Sequence, residues 1–376
     1  MRSRSSSTLQ SAPARHRYFI CHRHDDGPLR WNPHTERADY NFHTAYFGRV
    51  FEALERHLDA EGLTFYFTWH LDHLPRYGDD VVAVVMGDEW GRYPLYTNRV
   101  RAVFKMLGTD FPFEATPSRT PFPLTAVTAL KYARTQALRL PNRTRAWADR
   151  WWAQATGTPT GHVFDIPIGY VKQDPLPLKP LDERAYDLYF SGSVANREFA
   201  WYTMQYWLRT PKDVARSDLI DAMRQLRDAR SDLHVEVDPR LSYVPQRRSE
   251  DAAPPRSYSE MMMDTRICPV PRGTRLETSR LYEALRYGCV VITEPLPDRW
   301  YTRGLPALVL HDWADLPALV ADLVRQPGRL HDLHNAALAW WNDVCCEEAV
   351  GRYMAEQLNG LAARSHAAAP AAAATA

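Results

Sequence analysis

The sequence predicts an α/β protein made of two doubly wound parallel-sheet, Rossmann-like domains that face each other across a cleft. Three observations lead there. Strand-like runs alternate with amphipathic helical runs in both halves of the chain. The run DVVAVVMG (80–87) is apolar almost throughout, as a strand covered on both faces of a parallel sheet must be. A proline-spaced segment, QDPLPLKPLDE (173–183), cannot join a helix and parts the two halves. The chain has 376 residues, 45% hydrophobic and 24% charged, which suffices for two domains of ordinary size.

In the first half, RYFICHR (17–23) and LTFYFTWH (63–70) are rich in aromatic and other β-favouring residues and read as strands. Between them, AYFGRVFEALERHLDAEG (45–62) reads as an amphipathic helix ending at Gly62. Prolines interrupt residues 111–123, TAVTALKYARTQALRL (125–140) reads as helix, and VFDIPIGYV (163–171) as a closing strand or loop. In the second half YDLYFSGSV (186–194) is a strand that ends in a Ser-Gly-Ser loop, and residues 196–209 and 214–229 are helical. LHVEV (233–237) is the next strand, and Ser257-x-x-Glu260 has capping-box spacing at a helix start. RICPV (266–270), CVVIT (289–293) and ALVLH (307–311) are strands, with a helix in RLETSRLYEALRY (275–287). WADLPALVADLVRQ (313–326) is helical, and residues 328–361 read as one long helical region in which the pair Cys345–Cys346 packs. The domains are accordingly expected at 16–175 and 185–345, with a linker over 176–184 and a C-terminal helix over 346–364 that crosses back. Residues 1–15 and 365–376 are expected to be disordered ends.

The totals exclude several function classes. A net charge of +1 leaves no whole-chain electrostatic footprint for DNA, RNA or an anionic membrane. Five scattered cysteines without a CxxC pair are too few for a disulfide scaffold and favour reduced thiols in a cytoplasmic setting. No apolar run approaches about 18 residues, so no transmembrane segment is expected, and peripheral membrane association stays open. The basic start MRSRSSSTLQSAPARHR lacks an apolar stretch after it, against a signal peptide. Dinucleotide, P-loop and hydrolase-elbow motifs are absent.

The densest chemistry lies in CPVPRGTRLETSRLYEALRYGCVVI (268–292). A strand delivers the chain into Pro-Arg-Gly-Thr, and Thr274-x-x-Glu277 offers a capping box for a helix starting near Arg275. The unpaired N–H groups and positive end of such a helix make an anion site that Gly273 lets the backbone approach, with Arg272 and Arg275 at its mouth. Arg280 and Glu283 fall on one helical face one turn apart, suited to a phosphate beside a hydroxylated sugar. A surface ion pair worth about 0.3–0.5 kcal/mol would explain the same two residues.

The set Cys268, Pro271, Gly273, Arg280, Glu283, Ala284, Gly288 and Cys289 resembles the C-terminal domain of exostosin-like glycosyltransferases, which have the GT-B fold. The strand YDLYFSGS is similar to the first strand of that domain, and the likeness covers roughly residues 186–320. The resemblance implies sugar transfer from a nucleotide-sugar donor to a hydroxyl of a glycan, glycolipid or polysaccharide-precursor acceptor. It implies that Arg280 meets the donor diphosphate and Glu283 the ribose or sugar hydroxyls. Gly192, Ser193, Arg272, Gly273, Thr274 and Arg275 would complete the donor site, with no metal or other cofactor. Thr278 and Ser279 stand where the family has a single serine, and TEPLPDRW replaces its aspartate-rich turn.

In the first half, Asp88 and Glu89 follow a buried strand, where a general base for an acceptor hydroxyl belongs and where a simple turn cap also belongs. His70, Asp72 and His73 could include a base or acceptor contact. They could also begin a metal site, with the run Cys21-His22-Arg23-His24-Asp25-Asp26 to supply further ligands, which would make the chain a metal-dependent hydrolase. A catalytically silent sugar-nucleotide-binding protein is the third reading. The tryptophan pairs 151–152 and 340–341 suit sugar stacking and core filling alike.

Overall fold

The computed structural model describes residues 15–22, 27–34, 43–110, 122–157, 161–171, 174–193, 202–204, 210–240 and 257–372. Nearly all of the expected N-terminal end, residues 373–376, most of the helix over 196–209 and residues 23–26 lie outside these residues, whereas 365–372, expected to be disordered, continue the last helix to Ala372.

The fold is mixed α/β with two largely parallel sheets. The first sheet contains β1 (Arg17–Cys21), β2 (Leu29–Trp31), β3 (Thr64–Thr68), β4 (Gly78–Val85), β5 (Val100–Met106) and β6 (Val163–Ile166). Its order is β2-β1-β3-β4-β5-β6, parallel except for the edge strand β2. Helix α1 (Thr44–His57) covers one face, and α2 (Phe122–Thr156) joins β5 to β6. Alternation along β4 explains its unbroken apolar run. Val82 and Val84 enter the core under α1, whereas Val81, Ala83 and Val85 fill a separate cluster on the opposite face.

The second sheet holds β7 (Tyr186–Ser193), β8 (Val235–Arg240), β9 (Thr265–Val270), β10 (Val290–Thr293) and β11 (Leu308–Val309). All are parallel, in the order β11-β10-β9-β7-β8. The helices here are α3 (Pro211–Ala229), α4 (Tyr258–Met263), α5 (Ser279–Arg286), α6 (Leu316–Val324), α7 (Pro327–Trp340) and α8 (Glu347–Ala372). The Ser257 capping box forms as expected, the hydroxyl accepting from Glu260 N at 3.1 Å and Glu260 Oε2 from Ser257 N at 2.6 Å.

The structure differs from the sequence reading in four respects: two unforeseen strands, a longer helix, a broken helix and a later helix start. Strand β5 carries Arg101 and Lys105 among its apolar residues, and both it and the three-residue β2 escaped notice. Helix α2 runs through Pro141 to Thr156 because its inward stripe continues: Asn142 clasps both the N–H and the C=O of Tyr93, and Ala146 and Ala153 are buried behind it. The long C-terminal helix is two helices, broken by a wide π-type turn at Trp341–Cys345. That break lets α8 fold back on α1, where a side chain on Gly351 would meet Val50 O and Ala53 Cβ at 2.6 Å. The fourth difference, the start of α5, belongs to the site below.

A single apolar core runs from β1, β3 and α1 through α8 to α5 and one face of β9 and β10, so the two sheets share it. Where they meet, Glu277 and Arg299 form a buried ion pair at 2.8 Å. Glu277 also accepts from Ile168 N, Tyr282 OH and Tyr301 OH. Arg299 donates to Leu107 O at 2.7 Å and to Asp110 Oδ1 at 2.8 Å. The turn that presents Leu107 O is left-handed at Leu107 (φ 61°) and Gly108 (φ 60°), and a Cβ on Gly108 would lie 2.7 Å from the Arg299 guanidinium. Truncating Arg299 would leave Glu277 charged and buried. Arg299→Ala should therefore lower stability in urea denaturation by about 3–5 kcal/mol. Arg303→Ala, which removes the exposed pair with Asp298, should leave the urea midpoint essentially unchanged.

Candidate functional site

The second sheet contains a topological switch. From β7 the chain crosses to β8 on one side, then returns to β9 on the other side of β7. Neighbouring connections therefore leave in opposite directions from the carboxyl ends of β7 and β9 and open a crevice there, where ligands of such sheets bind. Gly192 and Ser193 end β7, residues 271–278 follow β9, and Glu294 follows β10.

Three guanidinium groups gather at this crevice. Arg216 of α3 spans it, donating to Ser193 O at 2.7 Å, Ser193 Oγ at 3.0 Å and Arg272 O at 3.2 Å. Arg280 of α5 stacks over the Phe190 ring at 4.7 Å. The lack of a side chain on Gly192 admits it, since a Cβ there would stand 3.3 Å from Arg280 Nη2. Arg280 Nη1 is buried and meets no hydrogen-bond partner among the described residues, and the same holds for Thr278 Oγ1 at the start of α5. Arg272 is 2% exposed, and its N–H donates to Glu294 Oε2 at 2.8 Å.

The three cations are unequally supported: burial opposes the Arg280 charge, yet Tyr258, Cys268 and Glu283 hold it above its ordinary value. Arg216 is pushed down to about 10, first by burial and then by the like charge of Arg280. Burial likewise lowers Arg272, with Glu294 opposing it. Glu294 is raised by burial against the pull of Arg272. Cations desolvated side by side are relieved by an anion placed between them.

The loop after β9 departs from expectation. Thr274 and Glu277 form no capping box, and α5 begins at Ser279 with Thr278 as its N-cap. One exposed cap bond cannot compete with the four partners that Glu277 finds at the seam between the sheets. Arg275 does not stand at a helix mouth. It donates to Glu89 O at 3.3 Å and Asp110 O at 2.9 Å in the first half. Thr274 is exposed and Gly273 closes a tight turn through its N–H to Arg275 O at 2.8 Å. Glu283 is buried beneath Arg280, accepting from Tyr258 OH at 2.9 Å and Val171 N at 3.4 Å, and burial raises its carboxyl.

Arg275 and Arg299 bond to residues at the ends of β4 and β5, so the carboxyl ends of the first sheet face this crevice. Asp88 is 3% exposed there. Its carboxylate pairs with Lys105 Nζ at 3.0 Å and Arg92 Nε at 3.2 Å and accepts from Arg92 N at 2.6 Å. Burial opposes the charge, yet Lys105 and Arg92 hold this carboxyl below the usual range. Glu89 is exposed at the rim, and its charge reaches Lys212 at the start of α3 on the opposite wall. His70 is half-buried after β3, its ring 4.7 Å from that of the exposed His73. Among the described residues no three His, Cys, Asp or Glu side chains converge as a metal site.

Arg216, Glu294 and Tyr258 escaped the sequence reading. A signal for Arg216 was present: Thr210-Pro-Lys-Asp213 forms a full capping box, which marks a helix start and places Arg216 in the second turn of that helix. Nothing local marks Glu294 or Tyr258.

No protein-family model matches the chain, and no curated protein matches it. Two solved structures are similar in outline. One is a GtfA/B complex, at 11% identity and TM-score 0.38 over 75% of this chain, which spans 57% of that one. The other is sucrose-phosphate synthase from Thermosynechococcus elongatus, at 13% identity and TM-score 0.40 over 89% of this chain and 97% of that one. Among the described residues no helix is long and apolar enough to cross a membrane.

The Asp88 pairing has a pH signature. Its folded value lies below the unfolded one, so its stabilisation is present above about pH 3.9 and is lost as pH falls through the folded value. Wild type and Asp88→Asn should therefore differ in urea midpoint at neutral pH and draw together as pH falls below about 3.9. Midpoints that stay parallel over that range would contradict a folded-state ion pair at Asp88.

Proposed function

We propose that the chain is a glycosyltransferase that moves a sugar from a nucleotide-sugar donor to a hydroxyl of a glycan or glycolipid acceptor. The observation that carries this reading is Arg280, whose buried Nη1 has no hydrogen-bond partner among the described residues, beside Arg216 at the switch-point crevice. Glu283 offsets the Arg280 charge from below, and a diphosphate would give the open Nη1 an acceptor and Arg216 a further counter-charge. The motif likeness to exostosin-like GT-B enzymes agrees with it.

In this reading, charge grows on the leaving diphosphate as the bond to the anomeric carbon breaks. Arg280, Arg216 and the N-terminal N–H groups of α5 take up that charge without reorganising. Gly192 and Ser193 line the same crevice, and Arg272 holds Glu294 beside it. Glu283 acts through Arg280 and Tyr258, anchoring the guanidinium from below. Arg275 and Gly273 shape the loop, and Thr274 faces solvent at its tip. An inverting transfer also needs a base across the cleft. Glu89, open to solvent, and His70 are better placed for it than Asp88, whose oxygens are already occupied.

Arg280→Ala should weaken binding of UDP, GDP or dTDP, whichever the protein prefers, by about 10–100-fold, the worth of one charge-assisted hydrogen bond. Calorimetric titration measures it, and unchanged affinity would remove Arg280 from the diphosphate site. Glu89→Gln should leave nucleotide affinity alone and lower donor turnover by about 10²–10⁴-fold if Glu89 is the base. Nucleotide binding without turnover against any acceptor would favour the silent binding protein.

A further inference from the structure

Helix α2 carries six of the large apolar side chains most open to solvent: Leu130, Leu138, Leu140, Trp147, Trp151 and Trp152, each between 53% and 71% exposed. The same helix holds six Lys and Arg residues against one acid, in a chain whose net charge is only +1. Its inner stripe accounts for none of those apolar groups. Arg139 donates to Gly91 O at 2.6 Å and Thr109 O at 2.9 Å, Asn142 clasps Tyr93, and the Arg150 guanidinium lies 4.8 Å from the Tyr93 ring centroid. With the helix fixed by that stripe, indoles and leucines point outward, and Arg134, Arg143 and Arg145 stand exposed among them.

We propose that this outer face of α2 docks on the surface of an anionic lipid bilayer. Clustered tryptophans with leucines and arginines on one helical face suit the boundary between headgroups and acyl chains, where an indole is half wet and a guanidinium meets phosphate. Trp and Arg are enriched at protein interfaces as well, so the choice of occupant rests on the charge of the helix, six cations against one acid. The positive charge interleaved with these residues is complementary to an anionic surface. The whole-chain charge hides this because acidic residues elsewhere balance it. The clasps on Gly91 and Tyr93 tie the face to the loop that bears Asp88 and Glu89, so docking would set the cleft at the height of a lipid-linked acceptor. Docking itself does not depend on transfer chemistry; only the placing of the cleft against an acceptor rests on the proposed function.

Co-sedimentation with vesicles tests it, using phosphatidylcholine alone and phosphatidylcholine with about one third phosphatidylglycerol. The full chain should partition onto the anionic vesicles at least about tenfold more strongly than onto the neutral ones. The triple variant Trp147→Ser/Trp151→Ser/Trp152→Ser should lose at least about tenfold in that partitioning, with an unchanged melting temperature because these side chains are exposed. Arg134→Glu/Arg145→Glu should remove the preference for anionic lipid. Failure of the wild type to bind either vesicle, or equal binding by both variants, would overturn the proposal. So would a wild-type dimer that the tryptophan variant splits, since this face would then pack against a second copy.

Discussion

The buried pair of Glu277 and Arg299 is the constraint on which the rest of the structure depends. Each charge gives up hydration worth several kcal/mol, and attraction between them restores that only if the remaining donors and acceptors are also met. They are met from both sheets: Ile168 N, Leu107 O and Asp110 come from the first half, Tyr282 and Tyr301 from the second. The pair is satisfied only when the two halves stand in this one arrangement. Its value lies in that specificity more than in net stability, and it sits inside an apolar core that already runs across both sheets.

The arrangement explains where the candidate site falls. With Glu277 drawn into the seam, the loop after β9 cannot become helix, and α5 starts only at Ser279. Arg275 is pulled to the first half, while Arg280, the second residue of the shortened helix, comes to lie over Phe190 and next to Gly192. The site is therefore built from the strand order, which opens the crevice, and from the seam, which decides which arginines are free to face it. Arg216 bridges Ser193 and the Arg272 carbonyl with Arg280 beside it, so the crevice gathers positive charge from two helices.

Much of the fold was legible in the residues. Strands β1, β3, β4, β7, β9 and β10 and helices α1 and α3 follow from period-two or continuous apolar runs and from amphipathic stripes, because backbone hydrogen bonding and burial act on neighbours in sequence. The errors have a common cause. Strand β5 was hidden by Arg101 and Lys105, one of which is fully buried only because Asp88 pairs with it from a neighbouring strand's end. Helix α2 outran Pro141 because Asn142 and the residues beyond it find partners on the loop after β4. The break at Trp341–Cys345 answers to α1, on which α8 must lie.

The sequence by itself determined the alternation of strands and helices, the division into two parallel sheets and the presence of Arg280 and Glu283 on one helical face. Those features depend on spacing along the chain, at periods that one segment can express alone. Only the tertiary structure decided which charged groups face a ligand. Asp88 became a partner for Lys105, Glu277 and Arg275 became struts between the halves, and Arg216 and Glu294 entered the crevice from distant elements. A buried charge takes the partner that removes its desolvation penalty, and that partner is chosen by where the sheets bring residues together, not by what stands beside it in sequence.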